Sequence, residues 1–288
     1  MSGKRMKNLG QAFKELRESR KISLRKATGG RFSASLLSRF ENGQSEISAQ
    51  KLFAALENIH ANVEELLFLA RDFHHDANSE FRNQLFKAVN PKDLTSLHTL
   101  YQREYQKIPF SKDKQEHILN AILIKSYMKA IDETITLTSE EERVLHDYLF
   151  SVEIWGLYEL SFFSSCSPLL SVQLLTKYTR EMLRKSDFLQ GVGKNRNMKH
   201  TLLLNGFMAC IEVDDFTNAL YFKKQIEKNF FEENETYFRI VYLWAEGLLD
   251  SKQGRVEDGQ RKMEDAVRIF EMIGCSKSAD YYRSAIEC

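Results

Sequence analysis

Proline is nearly missing from this chain: there are three in 288 residues, Pro91, Pro109 and Pro168, and only thirteen glycines. Long alternating runs of Val, Ile and Thr are absent too, so a fold built from many short strands and turns is excluded. The four cysteines, Cys166, Cys210, Cys275 and Cys288, include no Cys-x-x-Cys pair. That rules out a disulfide scaffold and points to a reduced setting. No stretch reaches the roughly 18 uncharged apolar residues of a spanning helix. The best run, Ile118 to Met128, is broken by Lys125. The opening Met1-Ser2-Gly3-Lys4-Arg5 leads into a polar helix without an apolar signal core, so a cytoplasmic protein without membrane contact is expected. What recurs instead is apolar spacing of three and four residues, the mark of amphipathic helices. The chain reads as nearly all α, in two or three units.

A net charge of +1, from 41 Lys+Arg against 40 Asp+Glu, hides an asymmetry. Residues 1–40 hold eleven Lys/Arg and two acids, Glu15 and Glu18, while the remainder holds 30 bases and 38 acids. A cationic end on an acidic body suits a polyanion at that end, since phosphate contacts release condensed counterions. Leu9, Phe13 and Leu16 form an apolar stripe, with Lys7, Lys14, Arg17 and Lys21 mostly off it. Ser23 stands at an N-cap ahead of a short helix through Leu24 and Ala27, and Gly29-Gly30 breaks it. Ser33 caps a third helix, Ala34 to Glu41, that stops at Asn42-Gly43, with Leu37 and Phe40 inward and Ser35 and Arg39 outward. Ser48 caps a fourth through Leu52 and Leu56. Asn62 with Glu65 makes a capping-box variant that opens a fifth, containing Leu66 and Leu67. Five short helices in about 65 residues, the second and third joined by a glycine turn, suggest a helix-turn-helix unit.

The string Ser33-Ala34-Ser35-Leu36-Leu37-Ser38-Arg39-Phe40-Glu41-Asn42-Gly43 resembles the third-helix signature of phage-repressor-like DNA-binding domains. With Ser45-Glu46-Ile47-Ser48 after it, the form is similar to the Rgg/MutR/GadR regulators of Gram-positive bacteria. The resemblance implies that the start of the third helix enters the major groove of double-stranded promoter DNA. Ser33, Ser35, Leu36 and Arg39 are then the base- or backbone-facing residues, with Lys14, Arg17 and Arg25 on phosphates. Leu36 departs from relatives that carry Gln there; it offers a thymine methyl only apolar contact, or else packs in the core. Glu41 is expected to pair with Arg39 or Arg31, or to cap a neighbouring helix.

The polar stretch Arg71 to Asn78 marks a boundary, giving a head at 1–70, a linker at 71–80 and a body at 81–288. His74 and His75 lack a third ligand at metal spacing and read as linker. Beyond Pro109 a helix is expected to begin near Ser111, with Ile118, Ile122 and Leu123 as its stripe. Thr138 with Glu141 forms a capping box. Further starts are expected at Ser167-Pro168, Asp215 and Asn234, with breaks at Gly254 and Gly274. Gly247, Gly254, Gly259, Met263 and Ala266 fall at offsets 0, 7, 12, 16 and 19, the small-residue and turn positions of a tetratricopeptide repeat. Asp215-Phe216-Thr217-Asn218-Ala219 matches the second-helix start of a preceding copy. The expected fold is therefore all-α: an N-terminal five-helix head, then a tetratricopeptide-like right-handed α-solenoid with a concave groove.

In peptide-binding repeats of this kind, asparagines on the first helix of each pair hold an extended peptide backbone, because an amide offers both donor and acceptor. Asn205, alone inside the apolar run Leu202 to Ala209, takes that position, and Asn120 is its earlier equivalent. Met208, Tyr242, Trp244 and Tyr158 are candidate walls, each weighed against ordinary core packing, and Trp155 reads as packing. This half also resembles the Rgg group, whose C-terminal repeats dimerise and, in several members, bind short secreted peptide pheromones after import.

Catalysis finds no constellation. Gly191-Val192-Gly193-Lys194-Asn195 looks like a phosphate loop, but Phe188 replaces the required glycine and Asn195 the Ser/Thr that would hold magnesium. A loop between helices is expected there. Cys210 reads as a buried thiol, with a lone reactive thiol as the alternative. The expectation is a cytoplasmic, homodimeric transcription regulator without a cofactor, switched by a short hydrophobic peptide. The alternatives are a regulator that answers acid or redox state, and a peptide-sensing adaptor without DNA readout.

Overall fold

The computed structural model of the chain describes residues 8–70, 79–89, 93–186 and 193–286, and every regular element among them is helical. Two compact units divide between Phe86 and Lys87. The expected linker falls largely outside the described residues, as do His74 and His75. Ser79 and Glu80 instead open a helix, α6 (Ser79–Val89).

The first unit contains α1 (Leu9–Ser19), α2 (Leu24–Thr28), α3 (Ala34–Glu41), α4 (Ala49–Asn58) and α5 (Val63–Ala70). Side-chain caps start each one by satisfying amides that have no partner within the helix. The amide of Gly10 donates to Asn8, those of Lys26, Leu36 and Lys51 to Ser23, Ser33 and Ser48, and Asn62 and Glu65 cap each other reciprocally. Gly29 turns α2 into α3 at φ +54°, and a Cβ there would lie 2.6 Å from Asn58 Nδ2. That amide is committed, donating 2.9 Å to the Ala27 carbonyl, so α4 clamps the glycine turn from behind. Phe13, Leu16, Leu37, Phe40, Leu56, Ile59 and Leu66 close one core. Full burial of Phe13 or Leu37 contributes about 2–3 kcal/mol each.

The second unit runs through α7 (Leu94–Lys107), α8 (Lys114–Lys129), α9 (Ser139–Ser151), α10 (Leu157–Cys166), α11 (Val172–Ser186), α12 (Gly193–Glu212), α13 (Phe216–Lys228), α14 (Thr236–Lys252), α15 (Val256–Met272) and α16 (Ser276–Ser284). The pairs α7/α8, α12/α13 and α14/α15 pack as hairpins, while α8, α10, α12 and α14 are successive neighbours in one layer. The reciprocal Thr138–Glu141 box is present, and Asp215 accepts the Asn218 amide to start α13.

Three expected starts move. The helix after Pro109 begins at Lys114, because Asp113 rather than Ser111 accepts an amide, that of Glu116. Ser167-Pro168 opens a single 3₁₀ turn, and α11 follows at Val172. Asn234 gives way to Thr236, behind the cap residue Glu235.

The repeat offsets have a direct steric cause. A Cβ on Gly247 would stand 2.6 Å from the Gly259 carbonyl oxygen and 2.8 Å from Met263 Cγ, so α14 and α15 cross almost backbone to backbone. The same offset of sixteen recurs one pair earlier, where a Cβ on Gly206 would stand 2.8 Å from the Phe222 ring. Helix α12 joins two cores: Leu202 packs with Ile122, Trp155 and Phe163, while Leu203 and Phe207 pack with Phe222, Val241 and Phe270. A helix buried on several sides has no single apolar stripe.

Candidate nucleic-acid and peptide sites

On α3, Leu37, Phe40 and Glu41 face inward while Ser35 and Arg39 form an exposed stripe at i and i+4. Ser33 is exposed at the cap, its oxygen accepting the Leu36 amide at 3.2 Å. Leu36 is half-buried, between its two expected roles. Arg25 is exposed, and Lys14 is half-exposed on α1.

Arg17 is a correction. It is 7% exposed. Its Nε donates to Glu41 Oε1 at 2.6 Å and its Nη2 to Glu41 Oε2 at 2.8 Å, with Nη1 on the Ile22 carbonyl at 2.8 Å. The hydrogen bond to Glu41 raises the Arg17 pKa above its ordinary value, outweighing the burial that opposes it. This guanidinium ties α1 to α3 and does not face a phosphate. Glu41 accordingly pairs with Arg17, not with Arg39 or Arg31; Arg31 faces Glu57 at 3.9 Å.

The candidate peptide residues separate into two groups. Asn205 and Met208 are half-buried one turn apart on α12, in an outward stripe that also contains Asn197 and Thr201. Tyr158 is 43% exposed, its ring stacked over Phe162 and edge-on to Tyr148. Asn120 is half-buried, and its Nδ2 donates 3.3 Å to Glu104, a buried carboxylate that also meets His117 Nδ1 at 2.8 Å.

Tyr242 and Trp244 are core residues, not walls. Tyr242 packs among Phe207, Phe230 and Phe231 and reaches Glu227 with its hydroxyl at 3.3 Å. Trp244 lies against Tyr282 at 5.2 Å, its indole N–H buried without an acceptor among the described residues. They turn inward because α14 packs between α12 and α15, with Tyr282 of α16 against Trp244 and Glu227 of α13 within reach of Tyr242. An open cleft of about 420 Å³ beside α15 and α16, lined by Glu264, Arg268, Glu271 and Arg283 among others, contains none of these residues.

Two polar clusters were not foreseen. Glu141 is fully buried and accepts Lys125 Nζ at 2.6 Å, the Thr138 amide at 2.7 Å, Tyr101 at 3.0 Å and Tyr105 at 3.1 Å. Burial pushes its carboxyl upward, but Lys125, the Thr138 amide and Tyr101 hold it below the ordinary range. On α12, Arg196 grips Glu235 and Glu232 next to the buried His200. In sequence these residues look like surface charges; Lys125, which interrupts the apolar run Ile118 to Met128, was the available signal for the first cluster, and His200, between Lys199 and Thr201, carried none.

Gly193, Lys194 and Asn195 form the first turn of α12 rather than a loop, and Gly191 and Val192 lie outside the described residues. Cys210 is fully buried, and burial raises its pKa against a 3.6 Å contact with Thr176. A thiol so placed is not a ready nucleophile. Among the described residues no group of three or more His, Cys, Asp or Glu could hold a metal ion, and no helix is long and apolar enough to cross a membrane.

A five-helix unit with an outward third helix, and a second unit of paired helices crossing at glycines, make up the build of a helix-turn-helix regulator with a tetratricopeptide-like domain. Residues 98–284 match the family model for the HTH-type transcriptional regulator Rgg, C-terminal domain. The chain belongs to the Rgg family of transcriptional regulators.

Among solved structures it is similar to a cysteine-to-serine variant of the Streptococcus dysgalactiae SHP pheromone receptor Rgg2, at 26% identity and a TM-score of 0.84, covering 98% of this chain and 99% of that one. A putative transcriptional regulator from Listeria monocytogenes EGD-e matches at 20% identity and TM-score 0.81, over 98% and 97% of the two chains. The PrgX/cCF10 complex matches at 17% identity and TM-score 0.73, over 97% and 98%. At those identities the last two speak to the fold.

Proposed function

We propose that this regulator works in the cytoplasm as a homodimer, binds double-stranded promoter DNA through its head, and is switched by a short hydrophobic peptide held in the groove of its body. The head is residues 1–70, and the body lies beyond the division between Phe86 and Lys87. Ser33, Ser35, Arg39 and the half-buried Leu36 meet the major groove, and Lys14 and Arg25 meet phosphates. Asn205 holds the peptide backbone, aided by Asn120, with Met208 and Tyr158 as apolar contacts. Peptide binding acts by favouring one arrangement of the body over another, which requires different affinities for the two.

One observation carries this reading: the similarity to a pheromone receptor runs through both head and body, over 98% of this chain. The exposed Ser35 and Arg39 on a capped α3 support the DNA part. The test is fluorescence anisotropy on the regulator's own upstream DNA across a salt series. Arg39→Ala is expected to weaken binding about tenfold and Lys14→Ala to flatten the salt slope by about one. Absence of binding at low salt, with and without candidate peptides from neighbouring small reading frames, rejects the DNA role. Asn205→Ala is expected to weaken the activating peptide about tenfold, the loss of one or two hydrogen bonds. Equal affinity removes Asn205 from the site.

A further inference from the structure

His200, in the second turn of α12, is 3% exposed, and neither of its ring nitrogens has a hydrogen-bond partner among the described residues. Phe231 stands edge-on to the imidazole with centroids 4.8 Å apart, and Phe238 of α14 lies at 5.5 Å. The charged groups acting on it are Glu235, at the cap of α14, and Arg196 and Lys199 on its own helix. Glu235 Oε2 waits 3.5 Å from His200 Nε2 without forming a hydrogen bond. That carboxylate is already committed. Arg196 Nε donates to Oε1 at 2.9 Å and Nη2 to Oε2 at 3.1 Å, and the Glu232 amide donates to Oε2 at 2.7 Å.

An uncharged imidazole suits an aromatic slot of this kind. An imidazolium does not, because a buried charge needs a partner. We propose that His200 is the proton-sensitive pin of the joint between α12 and α14: once protonated, it draws Glu235 away from Arg196 and the Glu232 amide and loosens the start of α14.

Burial lowers the His200 pKa from 6.5 to about 4, with Glu235 opposing and Arg196 and Lys199 reinforcing the shift. Glu235 stays ionised and available through this window: burial raises its pKa, but Arg196 and the Glu232 amide hold it below its ordinary value of 4.5. The closed joint therefore binds a proton less readily than the opened one. Its stability is complete above about pH 6.5 and is lost progressively as pH falls toward 4. Asn205 and Met208 of the candidate peptide site lie further along α12, but the device holds whether or not a peptide binds there.

The test is hydrogen–deuterium exchange on the full chain at pH 7 and pH 5, corrected for intrinsic rates. Protection of residues 229–245 is expected to fall about twentyfold in the wild type. His200→Phe, which fills the slot without a titrating group, should hold the ratio near one. The proposal is overturned if His200→Phe keeps the wild-type loss, or if protection falls equally throughout the body. Should His200→Phe fail to fold, the NMR titration of His200 in the wild type decides instead. A titration below about pH 5 supports the pin, and an ordinary one near 6.5 removes it.

Discussion

Arg17→Met should destabilise the head far more than loss of a surface base would. The substitution leaves the Glu41 carboxylate buried without its two charge-assisted bonds, and the Ile22 carbonyl without its donor. An uncompensated buried charge costs about 3–5 kcal/mol. For a unit of this size that lowers the melting midpoint by at least about 12 °C. The double variant Arg17→Met/Glu41→Leu removes both charges, and only the unpaired Ile22 carbonyl, at about 1–3 kcal/mol, still opposes recovery. The double variant is thus expected to regain most of the single variant's loss. Trp155 and Trp244 both lie in the second unit, so tryptophan fluorescence does not report on the head. Urea titration read by hydrogen–deuterium exchange of peptides from residues 8–70 does. DNA binding by the folded double variant should keep the wild-type salt slope, since Arg17 makes no phosphate contact. A single-variant cost below about 1 kcal/mol, or a salt slope reduced by about one in the double variant, would refute a structural role for this pair.

Gly247→Ala places a Cβ 2.6 Å from the Gly259 carbonyl. It should cost the body about 1–3 kcal/mol, and a calorimetric midpoint within 1 °C of wild type would show that the crossing is slack. Glu141→Gln strands Lys125 and should cost about 3–5 kcal/mol in urea denaturation. In the wild type the folded Glu141 carboxyl lies below its ordinary 4.5. Its contribution is therefore present above about pH 4.5 and disappears as pH falls below it; an acid limb unchanged by Glu141→Gln contradicts this. Tyr242→Phe gives up only a 3.3 Å bond to Glu227 and keeps its ring packing. It should change stability by less than about 1 kcal/mol, and a larger thermal shift would mean the hydroxyl matters more than its geometry implies.

Local signals were legible where one residue type carries one physical job. Ser23, Ser33, Ser48, the Asn62–Glu65 box and Thr138 all cap the helices expected of them, because an N-cap is satisfied within four residues of chain. The last repeat was readable because glycines mark both its turn and its crossing. The earlier copy was fainter, since Asp214 holds the same left-handed turn, at φ +58°, that glycine holds at 254. Helices α6 and α7 were not singled out, although Asp93 accepts the Ser96 amide at 3.0 Å to cap α7.

Sequence alone was enough for the all-helical class, the cationic head and its turn geometry, and the repeat at the end of the chain. All of these follow from contacts between near neighbours or from summed charge. Only the tertiary structure decided that Arg17 is a buried strut, that Tyr242 and Trp244 belong to the core, and that Asn120 is tied to Glu104. It alone set His200 in an aromatic slot with a carboxylate just out of reach. Each of those outcomes depends on which helix covers which face, and chain spacing does not encode that choice for a helix such as α12, packed on several sides.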